Sequence, residues 1–221
     1  MAGVPCPLGQ EDSFLDLIAG TTNQRIEAKL RSSKPQTVLD IGCREGATGF
    51  VLHHIFGIPF IDGLEREPLA PLLEQTAQNA GHPKYIDHFD LYQQIIKPDP
   101  TSDAIPELIS KRAFSAAFHL QYGTDAANSN WPRPAYDMIL CSNVLHYLNK
   151  SEFDLLAHRI KEHIRSHTLI YMRIKARYKH ALMSEQELEG RTLALADELD
   201  LPVLPGRCTD EEGMSWTITN F

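Results

Sequence analysis

Apolar and polar positions along this chain change period in alternation, runs of strand length giving way to stretches spaced for helices. Thr37-Val-Leu-Asp-Ile41 is a compact apolar run; a glycine-spaced turn follows, and Ala47 to Phe56 is amphipathic, with Gly57 as its stop. A second apolar run, Phe60-Ile-Asp-Gly-Leu-Glu65, leads to a helix opened by Pro68 with Leu69, Leu72, Leu73, Thr76 and Ala80 as its stripe. Another strand begins at Tyr136. A helix from Ser151 turns Phe153, Leu155, Leu156, Ile160 and Ile164 inward, and Thr168 to Met172 is the fifth strand. Ser184-Glu-Gln-Glu187 is a capping box for a helix that buries Leu188, Leu195 and Leu199, and Ser215 to Asn220 alternates as a final strand. Strands alternating with helices predict an α/β domain built on a parallel sheet.

Two stretches are less regular. Residues 1–9 carry Pro5, Pro7 and Gly9 and read as an extended arm, and Asp12 to Leu30 reads as two short helices interrupted near Gly20. Between residues 82 and 135, Pro98, Pro100 and Pro106 break the pattern, and the third strand is either Lys84 to Phe89 or Phe118 to Tyr122.

Composition narrows the function. The 221 residues suit one domain, 1–221, able to bury on the order of 70% of its unfolded surface. No apolar run reaches the length of a membrane span and the N-terminus lacks a signal-peptide pattern, so the expectation is a cytoplasmic protein without a membrane partner. Four cysteines without a Cys-x-x-Cys pair suit reduced thiols, and no metal is expected: His163 and His167 have i, i+4 spacing but lack the zincin glutamate. A formal charge of −8 disfavours nucleic acid as a partner. The local exception is Arg173-Ile-Lys-Ala-Arg-Tyr-Lys-His180, read as a solvated loop after the fifth strand or as an attractor for an anionic small-molecule substrate.

The turn after the first run carries the most specific signal. A dinucleotide loop requires glycine at position 44, where Arg44 stands, and no Gly-Lys-Ser/Thr run exists for a P-loop. What remains is Asp40-x-Gly42-x-x-x-Gly46, followed about twenty residues on by Glu65. This resembles motif I of the class I S-adenosylmethionine-dependent methyltransferases, with Arg44 a departure from the glycine usual at the loop's centre. Phe60 to Glu65 resembles the family's second strand with its acidic residue for the ribose hydroxyls. Tyr136-Asp-Met-Ile-Leu-Cys-Ser-Asn-Val-Leu-His-Tyr-Leu148 looks like its fourth strand and following loop.

The resemblance covers about residues 37–148. It implies a Rossmann-like, doubly wound, mainly parallel seven-stranded sheet with an antiparallel C-terminal strand, S-adenosylmethionine as cofactor, and methyl transfer to a small-molecule oxygen, nitrogen or carbon. Asp40, Gly42, Gly46 and Glu65 would hold the cofactor, with Cys43 as a compact spacer in the same loop and Ser142 bordering the methyl. Gly123-Thr-Asp-Ala126 resembles the Gly-Asp-Ala that follows the family's third strand, which favours Phe118 to Tyr122 and puts Asp125 near adenine; Asp90 is the competing contact. Residues 82–116 then form an insertion suited to a lid, and 1–34 a helical cap from which Asn23 and Arg25 could reach the cofactor.

In-line methyl transfer demands alignment and, for a protonated nucleophile, a base. His146, after the fourth strand, is the candidate catalytic residue; the alternative is a histidine packed beside Leu145 and Tyr147. Cys141 reads as a buried small hydrophobe. Two other functions remain open: a non-catalytic S-adenosylmethionine-binding regulator or partner subunit, and an RNA-modifying methyltransferase using the basic run.

Overall fold

The computed structural model describes residues 24–44, 46–68, 118–175, 181–207 and 214–221. Helix α1 (Gln24–Ser33) precedes β1 (Thr37–Ile41), α2 (Ala47–Phe56), β2 (Phe60–Glu65), β3 (Phe118–Tyr122) and β4 (Met138–Ser142). A 3₁₀ turn (Leu145–Tyr147), α3 (Lys150–His163), β5 (Leu169–Lys175), α4 (Glu185–Glu198), β6 (Val203–Arg207) and β7 (Met214–Thr219) follow.

The seven strands form one sheet in the order β3-β2-β1-β4-β5-β7-β6; β7 runs antiparallel to both neighbours and the other six run one way. This is the expected doubly wound α/β architecture, with the chain reversing its direction of progress between β1 and β4. The central strands are near-continuous apolar runs because both faces are covered. Leu39, Ile41, Ile139, Cys141, Ile170 and Met172 pack under Phe153, Leu156 and Ile160 of α3 and Leu188 and Leu195 of α4. Val38, Met138, Leu140, Leu169 and Tyr171 pack against Ile26 and Leu30 of α1 and Leu52 of α2.

Several boundaries differ from the sequence expectation. Helix α3 starts at Lys150 because Asn149 is the cap: its side chain accepts from the Glu152 amide while the Glu152 carboxylate accepts from the Asn149 amide. Leu155, expected inward, is exposed on that helix, and Ile164 caps its end partly buried. β5 continues past Met172 to Lys175 because β7 supplies a ladder there, pairing Arg173 with Thr217 and Lys175 with Ser215. The basic run therefore begins inside the sheet, and Arg173 is buried. β6 has no alternating pattern to announce it; Pro205 is accommodated because the strand lies at the sheet's edge. The helix expected after Pro68, the 82–116 insertion, Lys84 to Phe89, Asp90, Asn23, Arg177, Cys6 and Cys208 lie outside the described residues, as does the Arg25 side chain.

The lower half of the sheet is tied together by polar side chains. Asp137 Oδ2 accepts from the Gln36 amide and from both the amide and hydroxyl of Thr37, joining the starts of β4 and β1. Asp62, 1% exposed in the middle of β2, accepts from Arg133 Nε at 2.7 Å and from the Tyr136 hydroxyl at 3.0 Å. Burial first, then the Asp62 charge and hydrogen bond, push the Tyr136 phenol well above its usual range. The Tyr-Asp dipeptide that opens the fourth-strand motif thus clamps the end of the sheet opposite the site.

Candidate functional site

The turn after β1 requires conformations that glycine adopts without strain. Gly42 and Gly46 have φ of 74° and 80°, and Arg44 between them sits at 47°. A β-carbon at Gly42 would stand 2.4 Å from Val144 Cγ2, and one at Gly46 would stand 2.8 Å from Leu120 Cδ1. The glycines therefore let the turn fit closely against the β4 loop on one side and β3 on the other. The Arg44 side chain is exposed, whereas Cys43 is buried with its sulfur against Gly63 of β2. The spacer reading of Cys43 agrees with that placement.

Glu65 holds two loops at once. One carboxylate oxygen accepts from the Arg44 amide at 2.9 Å and the other from the Glu67 amide at 3.0 Å. Its backbone carbonyl accepts from the Thr124 amide, and that of Glu67 accepts from the Gly123 amide. These bonds bring the turns after β1, β2 and β3 to one rim. Each carboxylate oxygen keeps a second lone pair for a ligand hydroxyl. Asp125, in the β3 turn, accepts from the Ala127 amide and the Asn128 side chain, an Asx-type turn that fixes the carboxylate.

At the end of β4, Ser142 Oγ is buried and has no hydrogen-bond partner among the described residues. Cys141 beside it is buried, and that burial, with the Asp40 charge second, pushes its thiol far above the ordinary range, which leaves it a packing group. His146 is 1% exposed, stacks against the Tyr147 ring at 4.5 Å, and turns Nδ1 toward the Lys175 amide at 3.5 Å. A neutral ring accepting there carries its proton on Nε2, which makes it a donor at that nitrogen.

Of the other histidines, the His53 ring contacts the Ile58 carbonyl and His163 the Arg159 carbonyl, while His167 is exposed beside Asp137. Among the described residues no three His, Cys, Asp or Glu side chains cluster to hold a metal, and no helix is long and apolar enough to cross a membrane. The Asp62–Arg133–Tyr136 cluster was missed from sequence. Its one signal is a carboxylate placed among apolar neighbours in Phe60-Ile-Asp-Gly-Leu64.

The residues present fit an adenosyl cofactor. A glycine turn with left-handed backbone, an acidic side chain at the end of the neighbouring strand, a fixed carboxylate beyond it and an unsatisfied hydroxyl on the opposite bank share one rim.

No family model and no curated protein matches the sequence. Solved structures share its fold. The methyltransferase domain of bacterial CtHen1-C aligns over 94% of this chain and 97% of its own, with 15% identity and a TM-score of 0.51. A Staphylococcus aureus protein described as a caffeoyl-CoA O-methyltransferase aligns over 93% of this chain and 82% of its own, with 13% identity and a TM-score of 0.51. At such identities the likeness establishes architecture. The chain has the class I methyltransferase fold, Rossmann-like with a reversed strand near its C-terminus.

Proposed function

We propose that this protein transfers a methyl group from S-adenosylmethionine to a small-molecule oxygen, nitrogen or carbon acceptor. The observation that carries the reading is the rim at which Glu65 bonds to the motif I turn and to the loop bearing Asp125. Gly42, Cys43 and Gly46 would offer backbone to the cofactor, Glu65 its ribose hydroxyls an acceptor, and Asp125 the adenine edge a carboxylate; Asp40 would support the turn from β1. When bound, the cofactor supplies a methyl already activated by its positive sulfur. The chain's tasks are then to align the acceptor near Ser142 and to exclude water.

Thermal denaturation with S-adenosylhomocysteine, S-adenosylmethionine, NADH and ATP side by side tests this. Only the first two should raise the melting temperature, by the equivalent of about 2.7 kcal/mol at a hundred times Kd. Stabilisation by NADH or ATP alone defeats the reading.

The position of His146 favours a second reading. Its Nδ1 is directed at the Lys175 amide, so the imidazole is suited to positioning the β4 loop more than to taking a proton. Either the acceptor is nucleophilic without a base, or the protein binds the cofactor without turnover. Calorimetric binding of S-adenosylhomocysteine with no methylation across an acceptor panel would select the non-catalytic form.

A further inference from the structure

We propose that Arg173 and Ser142 form a subsite for a carboxylate on the methyl acceptor. The inference rests on the function proposed above and names the substrate class for the same crevice. Arg173 lies near the carboxyl end of β5, paired with Ser142 of β4 on one side and Thr217 of β7 on the other. Directly paired residues share a face, so the three side chains form one polar row above Leu140, Tyr171 and Thr219.

Arg173 is 3% exposed, yet its Nε has no hydrogen-bond partner, and its guanidinium makes no ion pair among the described residues. Ser142 Oγ, next to it in the row, is likewise buried and unsatisfied. Asp40 is on the same face but two strands away and one row lower, its register neighbour being Leu140, whose neighbour is Tyr171. A buried guanidinium without an anion is costly. Its planar fork matches a carboxylate, to which a neighbouring hydroxyl can add a third hydrogen bond.

The location assigns that carboxylate to the acceptor. Glu65 and Asp125 place the adenosyl part over β1, β2 and β3, and the Arg173 row begins on the opposite side of the crevice, at β4. An anion there would extend from the methyl toward β5.

The test titrates acetate, benzoate and 4-hydroxybenzoate, each against its amide, into the full chain saturated with S-adenosylhomocysteine, followed by NMR. At least one carboxylate should bind about tenfold more tightly than its amide, the ratio that a charge-assisted hydrogen bond supplies. Arg173→Met should abolish that ratio, leave S-adenosylhomocysteine affinity unchanged and, by removing an unpaired buried charge, raise the melting temperature of the ligand-free chain. Should Arg173→Met fail to fold, Arg173→Lys, which keeps charge without the fork, must reduce the ratio. Equal binding of every acid and amide, or a ratio that survives the substitution, overturns the subsite. Loss of S-adenosylhomocysteine binding in a folded Arg173→Met chain reassigns the guanidinium to the cofactor's own carboxylate and overturns it too. Failure of the unmodified chain to bind S-adenosylhomocysteine takes down the proposed function first and this inference with it.

Discussion

At Gly42 two constraints coincide: φ is 74°, and Val144 Cγ2 occupies the space next to the missing side chain. Gly42→Ala should lower unfolding free energy by about 1–3 kcal/mol, part from backbone strain and part from overlap. Val144→Ala in the same chain should recover the overlap part alone, a coupling that urea denaturation of the single and double variants measures. Two residues on, Arg44 occupies a left-handed conformation with an exposed side chain, and its amide donates to Glu65. A non-glycine residue at the loop's centre therefore costs backbone strain while its side chain stays outside the turn. Arg44→Gly exchanges that strain for the larger chain entropy of an unfolded glycine. It should change stability, and S-adenosylhomocysteine affinity, by less than about 1 kcal/mol. A tenfold gain in affinity would show that the guanidinium obstructs the crevice.

Helices α3 and α4 each begin with a reciprocal capping box, Asn149–Glu152 and Ser184–Glu187. The Ser184 hydroxyl and amide lower the pKa of the Glu187 carboxyl below its ordinary 4.5. A depressed acid stabilises the fold above the ordinary value, and that contribution is lost as pH falls through the folded value. Ser184→Ala should therefore destabilise the chain at neutral pH, with the difference from the parent closing in acid; circular dichroism melts at pH 7 and pH 3 read it. The Ser184 box was legible in sequence because its residues are local. The Asn149 box was missed by two positions, since Ser151 is an equally good cap until Asn149 is seen accepting from Glu152.

Across the molecule, two sets of buried polar groups divide the sheet. Asp62, Arg133 and Tyr136 lock β2 to β4 well below the rim, while Glu65, Ser142 and Arg173 stand at the carboxyl ends where the strand order reverses, the place at which open α/β sheets bind ligands. In the lower set Arg133 and Tyr136 both donate to Asp62 Oδ2, whereas in the upper set Ser142 Oγ and Arg173 Nε have no hydrogen-bond partner among the described residues. The phenol of Tyr136 is held protonated, so its contribution is complete below the ordinary value of 10.0 and is lost as pH rises beyond it. Tyr136→Phe should destabilise at neutral pH, by about 1–3 kcal/mol for the donor taken from a buried carboxylate, and should then show a shallower alkaline loss than the parent between pH 10 and 12. Parallel alkaline curves would mean that the phenol ionises as freely as in the unfolded chain.

The sequence by itself determined the alternation of strands and helices from β1 to β2 and from β4 to α4, the glycine turn and the final strand, while the choice of Phe118–Tyr122 as β3 rests on the resemblance of Gly123-Thr-Asp-Ala126 to a family motif. The alternation and the turn rest on period, on φ requirements or on residues adjacent in the chain. Tertiary structure alone decided that β5 extends to Lys175, that Arg173 is a buried cation beside Ser142, that His146 is turned toward a backbone amide, and that Asp62 meets Arg133 and Tyr136. Those facts depend on strand register and on pairs of residues from 29 to 74 positions apart in the chain. Burial and charge pairing follow from which strands become neighbours, and no local pattern encodes that.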